Sequence, residues 1–322
     1  MQQRSLGRTN IPVSELGYGA WGIGRSLWVG AEDDDSLRAL RRAVERGVTF
    51  IDTALAYGDG HSEKLVGEVV RSSTETVHVA TKVPPKNGQW PARAGVPAAE
   101  AFPGDWIEHC TERSLRHLGL DTIDVQQLHV WSDEWVGDGD WLEAVERLKA
   151  AGKIRYFGVS VNDHQPTNAL RLIESGVVDT VQVIYNIFDQ SPADELFAAV
   201  QEADVGVIVR VPFDEGGLTG KVTADTEFPE GDFRNRYFAG GRKAETWEHV
   251  QSIARDLEIP IDRLPEIALR FCLSHPAVST VIAGMRSIRN VDANATASDL
   301  GPLSENELAL LEAHRWERSF YV

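Results

Sequence analysis

Residues 141–160 read WLEAVERLKAAGKIRYFGVS, and this run holds one complete unit of the fold. Trp141–Ala150 carries a helical apolar pattern that stops at Lys149-Ala150-Ala151-Gly152, a basic residue followed by a breaker. A short apolar run, Ile154–Val159, follows at once and reads as a buried strand. The same alternation extends both ways. Further strand candidates are Glu15–Gly17, Val48–Ile51, Val77–Ala80, Ile123–Leu128, Thr180–Ile184, Val205–Val209 and Val278–Ile282. Helical patterns lie between them, at Ser36–Arg46, Glu63–Val70, Trp106–Leu118, Thr167–Glu174, Asp194–Ala203, Trp247–Leu257 and Leu264–Leu273. Near-continuous apolar strands alternating with helices specify an α/β protein with a parallel sheet covered by helices. Eight such units with no break in composition predict a closed (β/α)8 TIM barrel, one domain spanning 1–322.

Outside the repeats, Gln2–Leu6, Gly7-Arg8-Thr9-Asn10 and Ile11–Val13 read as a β-hairpin with turn residues at its tip. Placed ahead of the first barrel strand, it would plug the lower end. Two connections are long, the proline-rich 84–104 and the glycine- and acid-rich 211–243. Both follow strands, which puts them at the C-terminal face, where barrels of this kind keep their sites.

The chain has 32 basic and 49 acidic residues among 322, a net charge of −17. That balance disfavours nucleic acid and anionic membrane surfaces as partners. An anionic ligand would need a locally basic pocket. Cys110 and Cys272 form no CxxC and join no His cluster, so no metal site is expected. Met1-Gln2-Gln3-Arg4 opens no apolar leader segment, and no stretch reaches membrane-span length, so the expected location is the cytoplasm.

Polar residues at the ends of apolar strands should converge on one mouth. They are Asp52, Lys82, His129, Ser160, Asn162 and Gln182, with Tyr57 in the loop after Asp52. Taken singly, each has a bland reading: a turn cap, a solvated lysine, a packed tyrosine. Together they make coherent chemistry. A phenol titrates near ~10 and needs a partner to move protons at neutral pH. A nearby ammonium favours the phenolate, a carboxylate can hold that ammonium, and a histidine can orient a carbonyl oxygen. The set suits protonation of a carbonyl oxygen as hydride reaches its carbon, and hydride must come from a cofactor.

Several stretches, in order, resemble the aldo-keto reductase family, in its bacterial NADPH-dependent form. They are Leu16-Gly17-Tyr18-Gly19, Gly47–Ala54 with Tyr57-Gly58, Ala80-Thr81-Lys82, Ser114–Asp124 running to Gln127-Leu128-His129, and Gly152–Ser160. The resemblance implies that Tyr57 gives the proton, Lys82 and Asp52 lower its pKa, and His129 positions the substrate. It implies that Ser160, Asn162 and Gln182 bond the nicotinamide carboxamide. Gly217, Leu218, Gly220 and Lys221 would form the loop over the pyrophosphate. Gly284, Arg286, Ser287, Asn290 and Asn294 would form the adenosine site. There Arg286 and Ser287 would meet a 2′-phosphate, implying NADPH (NADP+) and a monomeric enzyme. Where many relatives carry an aromatic residue against the nicotinamide, this chain has Arg210. Its guanidinium can stack on the ring, or reach a phosphate or a substrate carboxylate.

Trp21, Trp28, Trp90 and Trp131 lie near strand-end loops and are candidates to wall the substrate site, suiting a small-molecule sugar or an apolar carbonyl compound. The tail Arg315–Val322 is too aromatic for a free end and should pack on the barrel. Two rival functions use the same fold: a non-catalytic NADPH-binding regulatory subunit, and a lyase forming a Schiff base on Lys82. Loss of the tetrad would mark the first, and trapping of substrate on Lys82 the second.

Overall fold

The computed structural model describes residues 1–321. Ten strands form, β1 (Gln3–Ser5), β2 (Pro12–Ser14), β3 (Leu16–Gly19), β4 (Phe50–Asp52), β5 (His78–Val83), β6 (Ile123–Leu128), β7 (Ile154–Ser160), β8 (Thr180–Ile184), β9 (Gly206–Arg210) and β10 (Thr280–Gly284). Strands β3 to β10 close into an all-parallel barrel in sequence order, β10 pairing with β3. Between the barrel strands run helices whose apolar faces cover the sheet. The helix Asp33–Glu45 is representative: three aspartates open its first turn, Arg42 lies in its last, and Ala39, Leu40 and Ala43 are buried. Acid at the N-terminus and base at the C-terminus complement the helix dipole.

Most strands sit one or two residues further toward the mouth than their apolar runs predict. Parallel pairing continues past the apolar stretch, matching Gly19 with Asp52, Lys82 with Gln127, Ser160 with Gln182 and Ile184 with Arg210. Asp52, Lys82, Ser160 and Gln182 are therefore held by strand backbone, a more rigid support for a site, while Tyr57, His129 and Asn162 follow the strand ends.

The hairpin forms as expected, antiparallel, with Arg4 opposite Val13. Leu6, Ile11 and Val13 enter the lower end of the barrel and pack on Phe50, Ala80, Val125, Ile208 and Ile282. Gly206 permits this approach, since a Cβ there would stand 2.9 Å from Leu6 Cδ1. Arg4 fastens the hairpin, donating to Glu15 Oε2 (2.9 Å), Val278 O (2.9 Å) and Leu273 O (2.6 Å).

The long connections carry structure. Loop 84–104 contains the helical turn Ala98–Ala101, and loop 211–243 contains a 3₁₀ turn over Asp214–Thr219 and a helical turn over Arg234–Tyr237. Beyond the barrel repeats, Ile288–Leu300 is a full helix of 13 residues. A last helix, Glu305–Glu312, starts at a Ser304/Glu307 capping box. Among the described residues, no helix is long and apolar enough to cross a membrane and no group of side chains has a metal-binding arrangement.

Candidate active site

At the mouth, Lys82 is fully buried and all its ammonium directions are taken. Nζ donates to Asp52 Oδ2 (2.5 Å), Thr53 O (2.8 Å) and Tyr57 OH (3.3 Å). The other carboxylate oxygen of Asp52 accepts from Gln127 Nε2 (3.1 Å) and Gln182 Nε2 (2.8 Å). A buried ion pair persists only when its spare lone pairs are met in this way. Burial works to lower the Lys82 pKa, but Asp52 and Tyr57 together more than offset it and raise it, so the side chain stays an ammonium. Next to it, the Tyr57 ring stands edge-on to His129, centroids 5.6 Å apart. Burial raises the Tyr57 pKa; Lys82 pulls it down and Asp52 pushes it up. The expectation that both charged partners lower it is corrected on this point. A carboxylate disfavours a phenolate, so Asp52 helps only by holding Lys82. His129 falls well below the usual histidine range through burial and the positive charges of Lys82 and Arg210, so its imidazole is neutral. Its Nδ1 is buried without a protein partner.

These groups open into a cavity of about 870 Å³ that is also lined by Ser160, Asn162, Gln182, Arg210, Lys221, Gly284, Arg286 and Asn290. That size suits a drug-sized or larger ligand. Three indoles line it as expected: Trp21, Trp28 and Trp90. Trp131 does not. It is fully buried, packed edge-on against Trp135 and Trp141 at 5.6 and 5.2 Å, with its N–H given to Asp133. It is core, not substrate wall.

Three members of the expected pyrophosphate loop also turn away from the cavity. Leu218 is fully buried in the core. A Cβ on Gly217 would meet Asp214 Oδ2 at 2.7 Å, and one on Gly220 would meet Ile261 at 2.3 Å, so both glycines serve close packing. The cavity wall comes instead from Glu215, Gly216, Thr219 and Lys221. Asn162 lines the site, but its amide is spent on Ala92 and Gln165, fastening the proline-rich loop. Gln182 likewise commits its N–H groups to Asp52 and Gln127, leaving its oxygen. Ser287 is the N-cap of Ile288–Leu300, accepting from Asn290 N at 3.3 Å, outside the lining set. Asn294 is buried behind it, with Nδ2 unpartnered.

Arg210 pairs with Asp163 (2.7 Å) and donates to Val161 O (3.0 Å), while its Nε is left without a partner. Sequence reading missed Arg234. It sits within loop 211–243, its guanidinium 4.3 Å from the Trp28 ring, and Arg286 lies over the same indole at 5.5 Å. Burial and then Arg234 lower the Arg286 pKa. The signal was present as Phe228-Pro229-Glu230-Gly231-Asp232-Phe233-Arg234, an aromatic and basic insertion in an otherwise acidic loop.

The tail does pack on the barrel, Val322 lying outside the described residues. Trp316 stacks on His249 at 3.9 Å, and Phe320 is buried beside Tyr237. Arg318 reaches Asp214 at 2.6 Å, and Tyr321 OH donates to Glu215 Oε1 at 2.6 Å, so the tail grips the loop that walls the cavity.

A nicotinamide dinucleotide fits this residue set. Asn294 Nδ2, Trp28 Nε1 and Arg210 Nε are buried donors without partners, and a Cβ on Gly216 or Gly284 would meet nothing within 4 Å. The backbone is thus open to close approach at both ends of the cavity. Comparison with known proteins agrees. The family model described as the aldo/keto reductase family matches residues 15–315. The Escherichia coli (strain K12) protein named NADH-specific methylglyoxal reductase is 26% identical, the alignment covering 97% of this chain and 97% of that one. The holo form of an aldo-keto reductase from Bacillus halodurans superposes with TM-score 0.76 at 29% identity, covering 98% of this chain and 96% of that one. An aldo/keto reductase from Klebsiella pneumoniae, in complex with NADP and acetate, superposes with TM-score 0.69 at 25% identity, covering 99% and 98%.

Proposed function

Starting from a chain that belongs to the aldo/keto reductase family, we propose a division of labour among the residues at its mouth. The chain is an oxidoreductase that reduces an aldehyde or ketone to an alcohol with a nicotinamide cofactor. The bound nicotinamide supplies the hydride. Tyr57 supplies the proton. Its phenol is kept neutral by burial, so it is a donor at neutral pH. As the proton leaves, the Lys82 ammonium 3.3 Å away stabilises the developing phenolate. Asp52, braced by Gln127 and Gln182, keeps that ammonium in place. Neutral His129, edge-on to Tyr57, offers a hydrogen bond to the same carbonyl oxygen without competing for its proton.

For the cofactor, Ser160 and the free oxygen of Gln182 are assigned to the nicotinamide carboxamide, and Gly216, Thr219 and Lys221 to the pyrophosphate. Asn290 and Asn294 are assigned to the adenosine end. Two guanidiniums, Arg286 and Arg234, flank Trp28 on a chain of net charge −17. Arg234 is already paired with Asp232 at 2.8 Å, so Arg286 is the cation offered to a phosphate dianion, which supports NADPH over NADH. The helix start at Ser287 adds its dipole to the same place. The walls Trp21, Trp28 and Trp90 accept a broad carbonyl substrate.

The continuous Asp52–Lys82–Tyr57 hydrogen-bond chain carries this reading. It also opposes a Schiff base on Lys82, which is fully buried, charged and saturated with acceptors. Tyr57→Phe should abolish carbonyl reduction, followed by NADPH absorbance, while leaving the fluorescence-measured NADPH Kd within about twofold, since general acid catalysis is worth about 10²-fold or more. Turnover at the parent rate in that variant would refute the assignment.

A further inference from the structure

Two adjacent buried carboxylates, Asp214 and Glu215, stand where the cavity-walling segment begins, and only Glu215 lines the cavity. Asp214 is answered by Arg318 at 2.6 Å and by Tyr237 OH at 2.8 Å. Glu215, only 7% exposed, has one protein partner, the Tyr321 hydroxyl on Oε1. Arg210, whose positive charge acts on Glu215, is already committed to Asp163 and Val161 O. Glu215 also adopts φ +53°, between Asp214 at +51° and Gly216 at +103°. Left-handed backbone at two consecutive residues other than glycine costs energy. The fold sustains that cost in the segment assigned above to the pyrophosphate. A lone carboxylate lining an anion site is a charge conflict.

We propose that Glu215 is a cofactor-binding residue that acts as a neutral acid, so that dinucleotide binding takes up one proton at its carboxyl group. The proposal rests on the reading of Gly216–Lys221 as the pyrophosphate segment. The proton comes from solvent on binding and returns to it on release. In the protonated state Glu215 becomes a hydrogen-bond donor on the cavity wall, and Tyr321 can keep its contact by rotating its hydroxyl. Other charges around Glu215 do not relieve the conflict. Asp163 and Arg210 from the barrel mouth neutralise each other, as do Asp214 and Arg318. The Tyr237 and Tyr321 phenols are pushed well above their ordinary range, chiefly by burial, and stay neutral. Burial, reinforced by Asp214 and Asp163, already lifts Glu215 to about 7. A further negative group in the same pocket shifts it higher still. Below that apo value the acid is already neutral and affinity is flat. Above it, each pH unit should weaken binding by up to about tenfold, until the pKa of the complex is passed.

The test is isothermal titration of the full chain with NADPH and with NADH, between about pH 6.5 and 9, in buffers of different ionisation enthalpy. The 2′-phosphate completes its titration near ~6, so it does not contribute above pH 7. Expected for the parent are uptake approaching one proton above pH 7 and a rising Kd for both cofactors, because both carry the pyrophosphate. Glu215→Gln, which keeps an acceptor for Tyr321, should abolish the uptake and flatten the profile. A parent that binds NADPH with flat affinity and no proton uptake overturns this proposal alone. So does a Gln variant that keeps the slope. If neither cofactor binds the parent at any pH, the cofactor assignment itself falls, and this proposal with it.

Discussion

Replacing Arg318 with alanine should loosen the tail from the cofactor loop and destabilise the protein measurably. The guanidinium is 7% exposed and Asp214 3%, with 2.6 Å between them. Arg318 also lies over Phe320, Trp316 and Phe188 at 4.2, 4.3 and 5.3 Å. Truncation therefore leaves a buried carboxylate with no cation and only the Tyr237 hydroxyl, a loss of about 3–5 kcal/mol. The lost cation–π contacts add roughly 0.5–1 kcal/mol each. For a chain of 322 residues, an unfolding entropy of about 2.1 cal/mol/K per residue makes 3–5 kcal/mol a fall in Tm of roughly 4–7 °C. Calorimetry or urea unfolding reads this directly. Arg318→Met together with Asp214→Asn removes both charges and should recover most of the loss. A double-mutant cycle then isolates the pair, with an expected coupling of about 2 kcal/mol or more. Coupling below about 0.5 kcal/mol, or a Tm unchanged in Arg318→Ala, would show that the tail is not held by this pair.

Other outcomes follow from the same geometry. Arg286→Ala should raise the NADPH Kd by at least tenfold, about 1.4 kcal/mol, and leave NADH binding nearly unchanged. Equal losses for both cofactors would remove Arg286 from the 2′-phosphate. Leu6→Ala should cost about 3–5 kcal/mol in unfolding experiments, because the hairpin plug cannot collapse into the space left within the barrel. A cost under about 1 kcal/mol would mean that the plug is not part of the core. Glu215→Gln should stabilise the cofactor-free protein near neutral pH and not at pH 4. Burial raises the parent carboxyl from its ordinary 4.5 to about 7. Its contribution is thus complete below pH 4.5 and lost as pH climbs through 7, by about 3 kcal/mol. Parallel stability–pH curves for the two proteins would contradict this.

Strand placement was legible wherever an apolar run coincided with pairing on both sides. Ile123–Leu128 and Thr180–Ile184 form as read from sequence. The site was legible because its residues sit at strand ends, where register alone brings Asp52, Lys82 and Gln127 together. What the sequence did not carry was direction within loops and cores. Trp131 and Trp21 look alike in the chain, yet one is enclosed by two other indoles and the other borders the cavity. Gly217 and Gly216 are neighbours, and only packing against Asp214 and Thr246 decides which faces the ligand. Arg234 was hidden by the net acidity of its loop, and the tail's grip on Asp214 and Glu215 joins residues about a hundred positions apart.

The hairpin of β1 and β2 has a kinetic corollary. With Leu6, Ile11 and Val13 sealing the lower end, the barrel has a floor, and both cofactor and carbonyl compound must use the upper entrance. Two reactants sharing one doorway cannot be exchanged independently. Whichever lies deeper enters first and departs last, so steady-state patterns should be sequential and ordered, imposed by a plug that touches neither molecule.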